Sequence, residues 1–268
     1  MLFDMDGVLY RGDQALPGAP ECVAALRERG HRLFFITNNS SRLREEYVAK
    51  LARMGIAAGV DDVITSTYVM AQWLRAQGHL PRQAYVIGSQ AVVSELHRAG
   101  AAASQVYHRG AVDAVVSGLD VHFAYEKLAN AQEAILAGAA FYATNRDLMY
   151  PLEDRVFPGN GAILAAIEAC TGRQAMVFGK PEPYLYEHAL QQAGATPAAA
   201  LVIGDNLVTD IAAAKRCHLH SALVLTGVAT RGDVEQLLPE QRPDYVVDDL
   251  PVLLREIIPL VERELLPC

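Results

Sequence analysis

Short apolar runs alternate along this chain with segments of helical periodicity, and this alternation limits the possible folds more than any other feature. The runs Leu33–Ile36 and Leu201–Ile203 are continuously apolar, as in parallel strands that are covered on both faces. Pro20–Arg29 and Leu43–Met54 have the apolar spacing of helices, and a glycine follows each of them. The pattern therefore predicts an α/β protein with a Rossmann-like parallel sheet and right-handed crossovers.

The size and charge of the chain exclude several classes of protein. Its 268 residues are 51% hydrophobic and 20% charged, so we expect a sizeable core and enough chain for two domains. The formal net charge is −8, and no cluster of Lys and Arg stands out, which argues against nucleic-acid binding. An acidic protein that binds an anion must reverse its field locally, with a metal ion or with placed cations.

The sequence favours a cytoplasmic location. No apolar run reaches the length of a membrane span, and no basic region precedes an apolar segment at the N-terminus. Cys22, Cys170, Cys217 and Cys268 are scattered without a C-x-x-C pair, so we expect reduced thiols rather than zinc ligands or disulfides. Because the first apolar run begins almost at Met1, we also expect the natural chain to start upstream.

Polar residues suited to chemistry follow the apolar runs near both ends of the chain, and the block between them lacks such residues. That block still alternates strand-like and helix-like segments, and it is long enough for a small α/β core of its own. We therefore expect residues 1–70 and 177–268 to form one domain and residues 71–176 to form an inserted one.

The polar residues near both ends predict a phosphoryl-transfer site. In a parallel sheet the carboxyl ends of the strands line one crevice, so these side chains should meet there. Carboxylates suit Mg²⁺, a hydroxyl and the N–H groups at a helix start suit phosphate, and a lysine offsets anionic charge. No G-x-G-x-x-G follows the first strand, which argues against hydride transfer. The residues are Asp4, Asp6, Thr37, Asn38, Lys180, Asp205 and Asp210.

Five of these residues also have a simpler structural interpretation. Asp4 and Asp6 could belong to an Asp-rich turn after a strand, and Thr37 could be a helix cap. Lys180 could be a solvated surface residue, and Asp210 could form an ordinary ion pair. The residues taken singly leave these alternatives open, whereas their combination favours catalysis.

Four motifs occur in a characteristic order: Asp4-Met5-Asp6-Gly7-Val8-Leu9, Thr37-Asn38-Asn39-Ser40-Ser41, Gly179-Lys180-Pro181, and Gly204-Asp205-Asn206 with Asp210. With them the chain resembles the haloacid dehalogenase superfamily, in its NagD-like or p-nitrophenyl phosphatase branch. The middle block resembles the cap of that branch in Gly118-Leu119-Asp120, Ala143-Thr144-Asn145-Arg146-Asp147 and Pro158-Gly159-Asn160-Gly161-Ala162. The resemblance covers almost the whole chain and implies a cap domain at residues 71–176.

The resemblance implies roles for the carboxylates. Asp4 would be the nucleophile that forms an aspartyl-phosphate. Asp6 would protonate the leaving oxygen and then activate the hydrolytic water. Asp4, the backbone carbonyl of Asp6 and Asp205 would hold Mg²⁺, the expected cofactor.

The resemblance also implies how the phosphoryl group is held. Thr37 and the backbone of Asn38 would bind it, and Lys180 would balance its charge. Asp210 would orient Lys180 or a metal-bound water from outside the ligand set. Asn206 stands where related sequences often carry Arg, so a neighbouring contact is expected to differ.

The cap is expected to close over the crevice, exclude water and recognise the leaving group. Its candidate substrate contacts are Asn145, Arg146 and Asn160, which are also compatible with ordinary loop positions.

The function expected from these features is Mg²⁺-dependent hydrolysis of a small phosphate monoester. A mutase of the same superfamily and a non-catalytic phosphate-binding regulatory module are the alternatives. Sugar phosphates, nucleoside monophosphates, glycerol phosphate, phosphoglycolate and pyridoxal phosphate all stay open as substrates. A homodimer is expected by analogy, and neither nucleic acid nor membrane is expected as a partner.

Overall fold

The computed structural model describes residues 1–151 and 155–265. Residues 152–154 of the expected inserted domain and residues 266–268 of the expected core domain, Cys268 among them, lie outside the described residues. The strands are β1 (Leu2–Asp4), β2 (Tyr10–Arg11), β3 (Gln14–Ala15), β4 (Phe34–Thr37), β5 (Val63–Thr65), β6 (Ala84–Ile87), β7 (Ala103–Ser104), β8 (Ala114–Ser117), β9 (Ala140–Ala143), β10 (Met149–Pro151), β11 (Val156–Pro158), β12 (Met176–Val177), β13 (Leu201–Gly204), β14 (His220–Val224) and β15 (Tyr245–Val247).

The helices alternate with these strands. They are α1 (Ala19–Glu28), α2 (Arg44–Arg53), α3 (Ser66–Ala76), α4 (Gln90–Ala99), α5 (Tyr125–Leu136), α6 (Asn160–Thr171), α7 (Tyr184–Ala193), α8 (Ala212–Arg216), α9 (Arg231–Glu235), α10 (Leu250–Val252) and α11 (Ile258–Leu265). Within the described ranges, none of them is long and apolar enough to cross a membrane.

The chain divides into two compact units. The core unit comprises Met1–Thr37, Arg44–Ile64 and Lys180–Cys268. The inserted unit comprises Asn38–Leu43 and Thr65–Gly179. The long insertion thus begins six residues before the expected start at residue 71 and ends three residues after the expected end at residue 176. A short segment after β4 also belongs to the inserted unit.

The larger sheet has six strands in the order β15-β14-β13-β1-β4-β5. The pairings of β1 with β4 and β13, and of β14 with β13 and β15, are parallel. Leu2 lies opposite Phe34 on one side and Val202 on the other, so the first strand of the chain is an interior strand of the sheet. Because all these strands run in one direction, their carboxyl ends lie along the same edge.

The apolar residues of these strands explain why this sheet forms. Phe3, Phe35 and Ile203 have no exposed surface, and the rings of Phe3 and Phe35 lie 6.3 Å apart between centroids. Burying a large apolar side chain contributes about 1.5–3 kcal/mol, and helices on both faces of a parallel sheet allow every strand residue to do so. The sheet is therefore a rigid support for the polar residues at its carboxyl edge.

The inserted unit has its own five-stranded sheet, in the order β12-β9-β8-β6-β7. Its described pairings are parallel, and the chain order reverses between β6 and β8. A separate antiparallel hairpin, β10–β11, follows β9 in the chain. A second hairpin, β2–β3, belongs to the core unit.

The segment Leu250–Leu265 is helical along its length, but the helix is not uniform. The segment contains α10, a wide π-helical turn at Leu253–Ile257 and then α11. Pro259 has no N–H to donate to the carbonyl of Arg255, and its ring excludes that carbonyl from an ordinary α-helical position. The helix therefore widens in the turn before Pro259.

Candidate active site

Three of the predicted residues lie at the carboxyl edge of the larger sheet. Asp4 ends β1, Thr37 ends β4, and Asp205 directly follows β13. Thr37 and Asp205 are buried, and the side chain of Asp4 is 12% exposed. The register of neighbouring parallel strands thus brings together residues that are far apart in the sequence.

Lys180 connects two of the acidic residues. Its Nζ lies 2.5 Å from Asp4 Oδ1 and 2.6 Å from Asp210 Oδ1. The residue is 3% exposed, so the interpretation as a solvated surface lysine is wrong. A buried ammonium group requires such anionic partners because it has lost its hydration.

Asp210 is held in place by hydrogen bonds to both of its carboxylate oxygens. It lies in a wide π-helical turn, Leu207–Ile211, and is 1% exposed. Oδ1 accepts the bond from Lys180, and Oδ2 accepts from the backbone N–H of Asn206 at 3.2 Å. A Cβ atom on Gly204 would overlap the Asp210 side chain, so glycine is required there.

Asn206 begins the same turn. Its side-chain oxygen accepts hydrogen bonds from the N–H groups of Val208 at 2.9 Å and Thr209 at 3.3 Å. This is the usual role of an asparagine before a helix. The side chain of Asn206 thus orders the turn that carries Asp210.

Asp205 is surrounded by backbone from two loops. Cβ atoms built on Gly7 or Gly227 would overlap its carboxylate, and the N–H of Val228 donates to Oδ2 at 2.8 Å. Thr226 Oγ1 donates to the carbonyl of Gly7 at 2.6 Å and joins the two loops. The sequence reasoning missed this 226–228 loop. Its Thr-Gly pair directly after an apolar strand is the signal that could have indicated it.

Carboxylates outnumber cations in this buried cluster. Among the described residues, Asp4, Asp205 and Asp210 form a group whose oxygens lie within 4.8 Å of one another, a spacing that suits a metal ion. Lys180 supplies one positive charge against these three carboxylates. An oxygen-rich cluster with excess negative charge fits a hard divalent cation such as Mg²⁺.

The pKa values of these residues reflect the excess of negative charge in the cluster. Burial, together with the carboxylate of Asp210, raises the pKa of Asp205 to about 7. Burial also raises the pKa of Asp4 well above its usual range, against the opposing effect of Lys180. Burial alone would lower the pKa of Lys180, but Asp210 and Asp4 raise it well above its usual value. Lys180 therefore keeps its proton, and the cluster needs further positive charge.

Asp6 stands apart from the carboxylate cluster. The residue is exposed, and it directly precedes the turn that leads to β2. Although the residue is exposed, the protein around its carboxyl group removes part of the solvent, which raises the pKa of Asp6, while the positive charges of Lys50 and Arg11 oppose that shift. The metal role expected for Asp6 concerned its backbone carbonyl and stays a prediction.

Asn38 begins the short segment that belongs to the inserted unit. Its side chain donates to Asp147 Oδ1 at 3.0 Å. Its carbonyl accepts from Ser66 Oγ at 2.9 Å and from Asn145 Nδ2 at 2.8 Å. These bonds fix the orientation of the peptide after Thr37.

The three candidate substrate contacts of the inserted unit have hydrogen-bond partners within that unit. Asn160 is 1% exposed, and its amide bonds the carbonyl of Asn145 at 2.7 Å and Ser117 Oγ at 2.8 Å. Asn145 is likewise buried and bonds the backbone of Asn38. Arg146 forms two bonds of 2.7 Å with Glu168. These bonds hold the inserted unit together, and the expectation that the three residues contact the substrate stays a prediction.

The inserted unit contains a cavity of about 420 Å³ at the carboxyl ends of β6 and β8, where its chain order reverses. Open parallel sheets bind ligands at such a place. Among its lining residues are Gln90, Asp120, His122, Lys127 and Tyr150. Lys127 Nζ donates to Asp120 Oδ2 at 2.5 Å, so the lining carries paired charges.

Family models match both ends of the chain. Residues 1–102 match the model described as haloacid dehalogenase-like hydrolase, and residues 177–253 match the model described as HAD-hydrolase-like. Human glycerol-3-phosphate phosphatase is 38% identical over an alignment of 289 positions, which covers 94% of this chain and 90% of that protein.

Solved structures of phosphatases have the same fold. The glycerol phosphate phosphatase Rv1692 of Mycobacterium tuberculosis, in complex with magnesium, is 36% identical with a TM-score of 0.86 and covers 94% of this chain and 75% of its own. The 4-nitrophenylphosphatase of Thermotoga maritima is 32% identical with a TM-score of 0.88 and covers 96% of each chain. NagD from E. coli K-12 is 30% identical with a TM-score of 0.84 and covers 93% of this chain and 95% of its own.

Proposed function

The chain belongs to the haloacid dehalogenase-like hydrolases, in their NagD-like branch, and from this membership we propose how its residues divide the reaction. It is a phosphatase of small phosphate esters. The named relatives are phosphatases, so the mutase alternative is set aside. They also disfavour a non-catalytic regulatory module.

Asp4 is the proposed nucleophile. One of its oxygens attacks phosphorus while the bond from phosphorus to the leaving oxygen breaks, and Asp6 gives that oxygen a proton. Water then attacks the aspartyl-phosphate, Asp6 takes the water proton, and phosphate and free Asp4 are released. The contact between Lys180 Nζ and Asp4 Oδ1, at 2.5 Å, is the observation that supports this assignment most strongly. It orients Asp4 and places positive charge where two anions must approach each other.

Magnesium is the cofactor, and when bound it supplies positive charge that offsets the phosphate and Asp4. Asp4, Asp205 and the carbonyl of Asp6 are the proposed ligands. Both oxygens of Asp210 already accept hydrogen bonds, from Lys180 and from the N–H of Asn206, which supports its role as the residue that orients Lys180. Thr37 and the backbone of Asn38 are the proposed phosphate contacts.

Glycerol 3-phosphate is the substrate that we propose to test first, because human and mycobacterial relatives are named as phosphatases of glycerol phosphate. We assign recognition of the organic part of the substrate to the inserted unit, whose cavity of about 420 Å³ could hold a small polar group. A homodimer and a cytoplasmic location also stay proposals. Size-exclusion chromatography would test the first.

The proposed activity is tested with p-nitrophenyl phosphate in the presence of Mg²⁺ and in the presence of excess chelator. We expect release of p-nitrophenolate that requires Mg²⁺ and is lost in Asp4→Asn. A panel of phosphate monoesters at equal concentration then ranks the substrates by kcat/KM. Steady-state activity of Asp4→Asn near that of the unchanged protein would end the assignment of the nucleophile.

A further inference from the structure

Tyr10 is tied through backbone bonds to the turn that carries Asp6. The N–H of Gly7 donates to the carbonyl of Tyr10 at 2.8 Å, and the N–H of Tyr10 donates to the carbonyl of Met5 at 3.3 Å. Asp6 and Tyr10 also form an isolated β-bridge. The position of Tyr10 therefore determines where the backbone of Asp6 lies.

Lys50, from α2, holds the ring of Tyr10. Its Nζ lies 3.8 Å from the ring centroid, well inside the range of a cation–π interaction, which extends to about 6 Å. Nζ also lies 3.6 Å from Oδ1 of Asp13, which is largely exposed in the loop of the same hairpin. Lys50 is 7% exposed and Tyr10 is 3% exposed, so this contact lies inside the protein.

The opposite side of the hairpin is attached to the 226–228 loop. Arg11 donates to the carbonyl of Thr226 at 2.7 Å, and Thr226 Oγ1 donates to the carbonyl of Gly7 at 2.6 Å. The hairpin is thus fastened by Thr226 on one side and by Lys50 on the other. Asp6 itself is exposed, so its direction depends on how firmly this backbone is held.

We propose that Lys50 is a positioning residue for the reaction, which aims Asp6 at the leaving oxygen by holding Tyr10 and the β2–β3 hairpin. The inference rests on the proposed role of Asp6 as the acid. It predicts a dependence on the leaving group, since an alkoxide must receive a proton as it departs whereas p-nitrophenolate is stable as an anion. General loss of structure would not produce such a dependence.

The test compares kcat/KM for glycerol 3-phosphate, or the best alkyl phosphate of the panel, with kcat/KM for p-nitrophenyl phosphate. This parameter reports the steps up to departure of the leaving group and omits hydrolysis of the aspartyl-phosphate. Lys50→Met removes the charge and keeps an unbranched apolar chain. We expect it to lower the value for the alkyl phosphate by ~10-fold or more and the value for p-nitrophenyl phosphate by less than ~3-fold.

Three further variants complete the experiment. Lys50→Arg keeps the cation over the ring and should restore most of the alkyl phosphate activity. Lys215→Met is the matched control, because this lysine forms an ion pair with Asp244 away from the hairpin. Should Lys50→Met not fold, as judged by its thermal transition, Tyr10→Leu removes the other half of the contact and should show the same substrate dependence.

Equal losses on both substrates, no loss, or failure of Lys50→Arg to recover activity would overturn the proposal. Asp6→Asn separates this failure from failure of the proposed function. If Asp6→Asn lowers kcat/KM for the alkyl phosphate selectively and Lys50→Met does not, only the role of Lys50 is wrong. If Asp6→Asn itself lacks the selectivity, the acid role of Asp6 is wrong and the inference fails with it.

Discussion

Lys180 Nζ lies 2.6 Å from Asp210 Oδ1, and the two side chains are 3% and 1% exposed. The same ammonium group lies 2.5 Å from Asp4 Oδ1. Removing one partner from a buried ion pair typically costs about 3–5 kcal/mol, because the remaining charge has lost its water. Asp210 therefore determines where Lys180 points, and Lys180 in turn orients Asp4, the proposed nucleophile.

Asp210→Asn should lower activity without abolishing it. The amide oxygen can still accept a hydrogen bond from Lys180, but the negative charge that fixes the ammonium group is gone. We expect kcat to fall by ~10- to 100-fold, as is usual for residues that orient a reacting group. Lys180→Met should be more severe, since it leaves the carboxylates unbalanced. Steady-state kinetics and thermal unfolding of both variants check this order, and equal kcat values for the two variants would contradict it.

Asp4→Asn and Asp6→Asn should fail at different steps. Asp4→Asn removes the attacking oxygen, so neither phosphorylation nor turnover is expected. Asp6→Asn retains the nucleophile but lacks the base for hydrolysis, so turnover should fall by ~10²–10⁴-fold. Rapid mixing with p-nitrophenyl phosphate should give a burst of one p-nitrophenolate per Asp6→Asn protein, followed by slow release. A burst from Asp4→Asn would show that a residue other than Asp4 accepts the phosphoryl group.

The stability of the metal-free protein should depend on pH through Asp205. Burial and the charge of Asp210 raise its pKa from 3.8 to about 7. A carboxyl group whose pKa is raised by folding stabilises the protein while it is protonated. That contribution is full below the ordinary pKa and is lost as the pH rises through about 7. At 1.36 kcal/mol for each unit, the loss is at most ~4 kcal/mol.

Saturating Mg²⁺ should remove most of this pH dependence, because the metal ion replaces the proton on the carboxylates. Thermal unfolding between pH 5 and pH 8 measures how stability depends on pH, once with chelator and once with excess MgCl₂. In chelator, Asp205→Asn should show a shallower dependence of stability on pH, because residue 205 no longer titrates while the raised pKa of Asp4 still contributes, and this variant is the control. A metal-free protein that becomes more stable as the pH rises over this range would contradict the expectation.

Gly227→Ala should weaken the metal site. A Cβ atom at this position would overlap the carboxylate of Asp205, so the carboxylate or the loop must move. We expect the Mg²⁺ concentration for half-maximal activity to rise by ~10- to 100-fold. Gly232→Ala is the matched control, since the nearest atom to its Cβ would be Thr230 Oγ1 at 3.7 Å. Equal Mg²⁺ dependence in the two variants would show that the close approach of Gly227 to Asp205 does not affect Mg²⁺ binding.

The sequence was sufficient to identify the elements that carry the site. Continuous apolar runs predicted β4 and β13, and the polar residues after them, Thr37 and Asp205, lie at one edge of the sheet, as parallel strands require. The α/β fold with a parallel sheet and the phosphatase family are confirmed. These features depend on local patterns and on motifs.

Features that depend on long-range packing were not predictable in the same way. Asn145 and Asn160 occur in motif-like segments, yet their amides satisfy buried backbone groups, because the sheet of the inserted unit brings those groups next to them. The Thr-Gly pair after β14 indicates a loop, but nothing in the sequence shows that Gly227 lies against the carboxylate of Asp205.

The interior place of β1 bears on the order in which the protein can be made. The strand that ends in Asp4 leaves the ribosome long before Lys180 and before its partner β13, which begins at Leu201. Until then one side of β1 has no neighbour, and an unpaired strand of this kind tends to associate with other chains. The stretch 65–179, by contrast, can collapse while synthesis continues. The nascent chain therefore acquires its phosphatase centre only after β13 has been translated, and β1 needs protection throughout that interval.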